Sequence, residues 1–185
     1  TCINGNDCDN GGGAIRMTGG LVELCRVQGN IGNGYVSRPG GGGAIKSTGG
    51  TVRNCLFLDN VVSVGGPGGA IYLVSGTPLI ENCTVATNRL TAAGYDGGGI
   101  YLTGGGVTNT IIYLNSVLGV HSNVAGTLAN FGYSCATELT GGLANVTGDP
   151  GFMSIMDGNY RLRSGRATVN GGINRDCMTN AVDLA

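Results

Sequence analysis

At 185 residues the chain has single-domain length, and its composition is narrow: 38 glycines, 11 % charged residues, 5 % aromatic residues, no tryptophan and a net charge of −1. A hydrophobic share of 41 % with almost no net charge excludes a disordered segment, and clustered glycines exclude collagen, which needs one at every third position. A single lysine, Lys46, argues against a nucleic-acid surface, and no apolar run approaches the roughly 20 residues that span a bilayer.

In chain order, Ile3-Asn4-Gly5-Asn6 repeats as Val27-Gln28-Gly29-Asn30, which places Thr1 in mid-coil. Four segments then align: Gly13-Ala14-Ile15-Arg16, Gly43-Ala44-Ile45-Lys46, Gly69-Ala70-Ile71-Tyr72 and Gly98-Gly99-Ile100-Tyr101. Each leads through a glycine-containing turn to a strand carrying Cys25, Cys55, Cys83 or Thr110. Five residues on lies Asn30, Asn60, Asn88 or Asn115, with Asn6 as their counterpart before the first segment. Repeats of 24 to 30 residues are too long for hairpins and too irregular for a coiled coil. Within each unit apolar and polar residues alternate, as in half-buried strands.

One unit cannot bury its own inward face, so units must stack. The sequence therefore predicts an all-β, right-handed, single-stranded parallel β-helix of about four to five coils over residues 1–130. Residues 131–185 are predicted to form a C-terminal capping segment. Stacking at the strand spacing of about 4.8 Å predicts the ladders Ile15/Ile45/Ile71/Ile100 and Val27/Phe57/Val85/Ile112. It also predicts an asparagine ladder, Asn6/Asn30/Asn60/Asn88/Asn115, at a turn where asparagine tolerates the left-handed conformation and where stacked amides can hydrogen-bond along the row. Cys25, Cys55 and Cys83 form an inward row of buried thiols, and a row does not converge as a zinc site must. No cofactor or metal is expected.

The remaining cysteines pair locally in this reading, Cys2 with Cys8 and Cys135 with Cys177; disulfides agree with an extracytoplasmic location. Two outward rows carry possible chemistry. Glu23, Arg53 and Glu81 share one position. The two carboxylates, two coils and so roughly 9–10 Å apart, are too wide for a retaining hydrolase and barely compatible with an inverting one; the row reads as surface ion pairs. Arg16, Lys46, Tyr72 and Tyr101 share another, a flat platform on which sugar rings could stack. The longest insertion, between Ile31 and Gly43, adds Tyr35 and Arg38 as ligand-binding residues at the one corner where loop length varies. His121, the only histidine, has no motif around it. Asn82-Cys83-Thr84 and Asn145-Val146-Thr147 match the glycosylation sequon, and the second, off the strands, is the acceptor expected.

The strings GGGAI, GGAIYL and GGGIYL, with ENCTVATN between them, resemble β-helix repeats of bacterial polymorphic outer-membrane proteins. The segments Asp149-Pro150-Gly151-Phe152, Gly158-Asn159-Tyr160-Arg161-Leu162, Ser164-Gly165 and Asn170-Gly171-Gly172 resemble the C-terminal ending of choice-of-anchor Q proteins, departing from it at Arg166 and Asn170. Asp183-Leu184-Ala185 is similar to the start of that family's next motif. The resemblance implies a secreted or surface-anchored protein, part of a larger chain, and implies no reaction.

The function expected is a structural or adhesive module, extracellular or on a bacterial cell surface, with a glycan or cell-surface partner. The alternative is a polysaccharide-degrading lyase or hydrolase of the pectate-lyase-like class. A third reading is end-to-end self-association, or cover of the Thr1 end by upstream coils of the same chain.

Overall fold

The computed structural model describes residues 1–8, 11–34, 40–169 and 171–173. It is a parallel β-solenoid of about four turns with one three-residue 3-10 turn, Leu128–Asn130, as its helical content among the described residues. Each full turn has four faces. The first and second are continuous through a bend in Ile15–Glu23 and Ile45–Arg53. They then separate into Ile71–Leu73 with Leu79–Glu81, and Ile100–Leu102 with Gly106–Thr108. The third face stacks Cys2–Asn4, Arg26–Gln28, Leu56–Leu58, Thr84–Ala86 and Ile111–Tyr113, all parallel. The fourth runs from Asp7–Cys8 to Ser116–Val117, where Val120–His121 folds back antiparallel.

The expected ladders form in register. Ile15 pairs with Ile45, Ile45 with Ile71 and Ile71 with Ile100, and Val27, Phe57, Val85 and Ile112 align next to one another. Except for the half-buried Ile15, both rows are fully buried in one continuous core. The repeated Gly-Gly-Ala-Ile string has a steric cause. Gly42 has φ +68°, and a Cβ there would lie 2.0 Å from the Ile45 carbonyl oxygen; one on Gly43 would lie 2.2 Å from the Gly69 carbonyl oxygen in the next turn. No side chain fits in either place.

The asparagine ladder also forms, by the second of the two expected causes, amide bonding along the row, and not by the first. The left-handed residue is the one before each asparagine: Gly5, Gly29, Asp59, Thr87 and Leu114. The asparagines are there for their amides. The backbone N–H of each donates to the Oδ1 of the next, at 2.9–3.1 Å, from Asn6 through Asn30, Asn60, Asn88 and Asn115 to Asn123. Each Nδ2 donates to the same oxygen, and those of Asn30, Asn60, Asn88 and Asn115 also donate to a third-face carbonyl of the preceding turn. Glu138 ends the row, its carboxylate accepting the Asn123 N–H at 2.6 Å.

The segment after residue 130 continues the stack before leaving it. Phe131 pairs with Val107, isolated bridges join Cys135 to Ile111 and Val146, and Phe131, Ala136 and Leu139 are buried at the end of the core. The chain then turns back along the flank. A hairpin of Phe152–Ser154 and Asn159–Leu162 lays Phe152 and Tyr160 against the outward side chains of the third face, Leu56, Leu58 and Ala86. Phe152 meets Tyr160 and Tyr113 edge to face, with centroids at 5.3 and 6.3 Å. This hairpin covers a side of the solenoid rather than its end.

Candidate functional site

Arg16, Lys46, Tyr72 and Tyr101 lie on adjacent first-face strands in matched register, each one residue after a ladder isoleucine. Strand alternation therefore turns all four outward. Glycines before the strands make room for them: a Cβ on Gly41 would lie 2.9 Å from the Tyr72 ring, and one on Gly11 would lie 3.0 Å from Lys46 Cδ. Lys46 Nζ donates to the Gly40 carbonyl at 3.1 Å and stands 5.4 Å from the Tyr72 ring centroid. The tyrosines meet edge to face, 5.7 Å apart and inclined by 73°. The row is therefore contiguous but not flat, because one ring turns its edge to the other and Lys46 lies over Tyr72. Burial, with the Arg16 charge beside it, pushes the Lys46 ammonium below its ordinary range; burial, with Tyr101 adding to it, pushes the Tyr72 hydroxyl up. Tyr35 and Arg38 lie outside the described residues.

The second row also aligns, Glu23 beside Arg53, Arg53 beside Glu81, and Glu81 beside Thr108. Arg53 Nε donates to Glu23 Oε1 at 2.7 Å, both side chains being about 30 % exposed. Opposite charges on neighbouring strands are what packing of a sheet surface selects, and at this exposure the pair contributes little.

Cys25, Cys55 and Cys83 are buried free thiols in the expected register. They are more than apolar filler. Each Sγ donates to the carbonyl two residues back, at 3.1–3.2 Å, and the Cys25 N–H donates to Cys55 Sγ. Thr110 and Ser134 continue the same duty with hydroxyls, and Asn145 closes it by accepting the Ser134 N–H at 2.9 Å. Sequence reading stopped this row at Thr110; its signal in Ser134 was a small donor side chain rather than a cysteine. A further asparagine, at 54, 82 and 109, precedes Cys55, Cys83 and Thr110 in the left-handed conformation, which Leu24 and Tyr133 take before Cys25 and Ser134. Burial holds Cys83 well above the ordinary thiol range.

Cys2 is exposed and free, and Cys135 is buried and free, so neither expected disulfide is formed in the structure; Cys177 lies outside the described residues. Burial pushes the Cys135 thiol up to about 11. Asn145 sits in the last coil with its Nδ2 donating to the Phe131 and Gly141 carbonyls. A glycan on that nitrogen displaces at least one of these bonds.

His121 is exposed on the back-folded strand, and among the described residues no three His, Cys, Asp or Glu side chains gather to hold a metal. A cleft of about 720 Å³ runs along the second-to-third-face corner at the last coils, lined by Asn82, Thr84, Asn109, Tyr133 and Cys135. Its opposite wall is the 171–173 segment, which Asn109 grips at both the N–H and the carbonyl of Ile173. The cleft is a seam between chain segments. No protein-family model matches the chain, and no curated protein or solved structure matches it. None of the described helices is long and apolar enough to cross a membrane.

Proposed function

We propose that the chain is a structural and adhesive module of a secreted or surface-anchored protein, of the choice-of-anchor Q or polymorphic outer-membrane kind, that holds glycans on its first face. The observation that carries this reading is the Arg16–Lys46–Tyr72–Tyr101 row. Aromatic rings and cations are mounted in register on a rigid sheet, each on its own rung. Sugars offer weakly polar ring faces and a rim of hydroxyls, and tyrosine meets both with an apolar body and a polar tip. A fixed sheet loses little conformational entropy on binding.

The polysaccharide-degrading alternative needs an acid and a base converging on one scissile bond. Glu23 is instead ion-paired to Arg53, with Glu81 on the far side of that arginine. The test is affinity electrophoresis and calorimetry of the chain against a panel of soluble polysaccharides. Binding to at least one, lost about tenfold or more in Tyr101→Ala and kept in Glu23→Gln, is the expected outcome. Cleavage of the polysaccharide that depends on Glu23 or Glu81 supports the enzyme instead.

A further inference from the structure

The two outward rows obey different rules. Along the second face the charges alternate, Glu23, Arg53, Glu81, as cross-strand packing favours. Along the first face two cations, Arg16 and Lys46, stand directly opposite each other on paired strands, an arrangement that costs stability. The Arg16 charge is one of the two causes that depress the Lys46 ammonium. Arg16 is exposed and makes no hydrogen bond or ion pair among the described residues. Nor is the pair a by-product of a basic molecule, since the chain carries a net charge of −1. An anion between these two charges would turn the repulsion into attraction.

We propose, resting on the glycan reading above, that the first-face row selects an acidic glycan. The carboxylate or sulfate of one sugar lies between Arg16 and Lys46, and the sugars that follow run along Tyr72 and Tyr101. The order of the row gives the ligand a direction, with its anionic group on the Arg16 and Lys46 rungs and its ring faces on the tyrosine rungs. Four rungs at about 4.8 Å span roughly 14 Å, so the site accommodates an oligosaccharide rather than one sugar. Lys46 is already positioned by the Gly40 carbonyl and the Tyr72 ring, which reduces the ordering that binding must impose. Arg16 can meet a planar carboxylate or a sulfate with two parallel N–H donors. A nucleic acid would want a longer basic track than two residues.

The experiment compares polymers that differ only in charge: polygalacturonate against its methyl ester, and dextran sulfate against dextran. Binding is measured by calorimetry at two salt concentrations, with Arg16→Gln, Lys46→Gln, Tyr101→Ala and, as a cation on another face, Arg89→Gln. Circular dichroism checks that each variant is folded. The expected result is preference for a charged polymer over its neutral partner, reduced about tenfold by Arg16→Gln or Lys46→Gln and untouched by Arg89→Gln. Polygalacturonate as the preferred ligand assigns the anion as a carboxylate, dextran sulfate as a sulfate ester. Equal binding of charged and neutral polymers, still lost in Tyr101→Ala, overturns the acidic preference and leaves the glycan reading standing. Binding weakened as much by Arg89→Gln as by Arg16→Gln overturns it as diffuse attraction. Tighter binding of a single-stranded oligonucleotide than of any acidic glycan also overturns it, and no binding to any polymer overturns both readings.

Discussion

The amide of Asn60 holds three turns together. Its oxygen accepts the Asn30 N–H and Asn30 Nδ2, and its nitrogen donates to the Val27 carbonyl and to Asn88 Oδ1. Asn60→Ala leaves the buried Asn30 N–H without its acceptor, at about 1–3 kcal/mol, and deletes three further buried hydrogen bonds of about 0.5–1.5 kcal/mol each. The substitution should therefore cost about 3–5 kcal/mol in urea unfolding. Asn6→Ala, at the exposed end of the same row and donating to Asn30 Oδ1 and the Asn4 carbonyl, should cost about 1 kcal/mol or less. Equal costs would mean that the row is decoration rather than a spine. The register of these asparagines and the bonding of their amides along the row were legible from the repeat, but the position of the left-handed residue was not. Gly5 and Gly29 advertise a left-handed residue before the asparagine, whereas Asp59, Thr87 and Leu114 adopt it only because the stacked turns impose it. Thiol chemistry tests the neighbouring row. Under native conditions iodoacetamide should label the exposed Cys2 and spare Cys55 and Cys83, which are about 3 % exposed; rapid labelling of either would contradict their inward register.

Strand alternation assigns Phe57 inward and its neighbours outward, yet Leu56, Phe57 and Leu58 are all buried. A strand that is apolar on both sides needs a cover on each. The core covers one side of Leu56–Leu58 and the Phe152–Leu162 hairpin covers the other. The need for a second cover was visible in the run Leu56-Phe57-Leu58. Its source was not, because the hairpin lies about a hundred residues downstream in sequence and its Asp149-Pro150-Gly151-Phe152 start reads as a terminal motif. Phe152→Ala removes the ring that touches both Tyr160 and Tyr113 and should cost about 3–4 kcal/mol. It should also raise binding of a hydrophobic dye by uncovering Leu56 and Leu58. Met156→Ala, at a hairpin residue 99 % exposed, should stay within about 0.5 kcal/mol of the parent. If Phe152→Ala is as mild as Met156→Ala, the hairpin is not a structural part of the solenoid.

A solenoid is held by contacts between neighbouring turns, so its stability is close to one-dimensional and its ends matter more than in a globule. At the Glu138 end four repeating features meet a dedicated stop. The fourth face ends in the antiparallel Val120–His121 strand, the core ends under Ala136 and Leu139, and the cysteine row ends on Asn145. The asparagine row ends on Glu138, whose carboxylate accepts from the Asn123 N–H, Asn123 Nδ2 and Thr137 Oγ1. That carboxylate takes the place of a further asparagine oxygen without offering a donor onward, so the row cannot be extended past it. Glu138→Ala should loosen the last turn by about 1–3 kcal/mol, the cost of leaving the Asn123 amide without its acceptor. Hydrogen exchange resolves where that loss falls. The Asn115 and Asn123 amides should exchange about tenfold faster or more, while Asn30 and Asn60, several turns away, should keep their protection. Uniform acceleration along the whole row would instead mean that the turns unfold as a single unit and that the stop at Glu138 is felt by every rung.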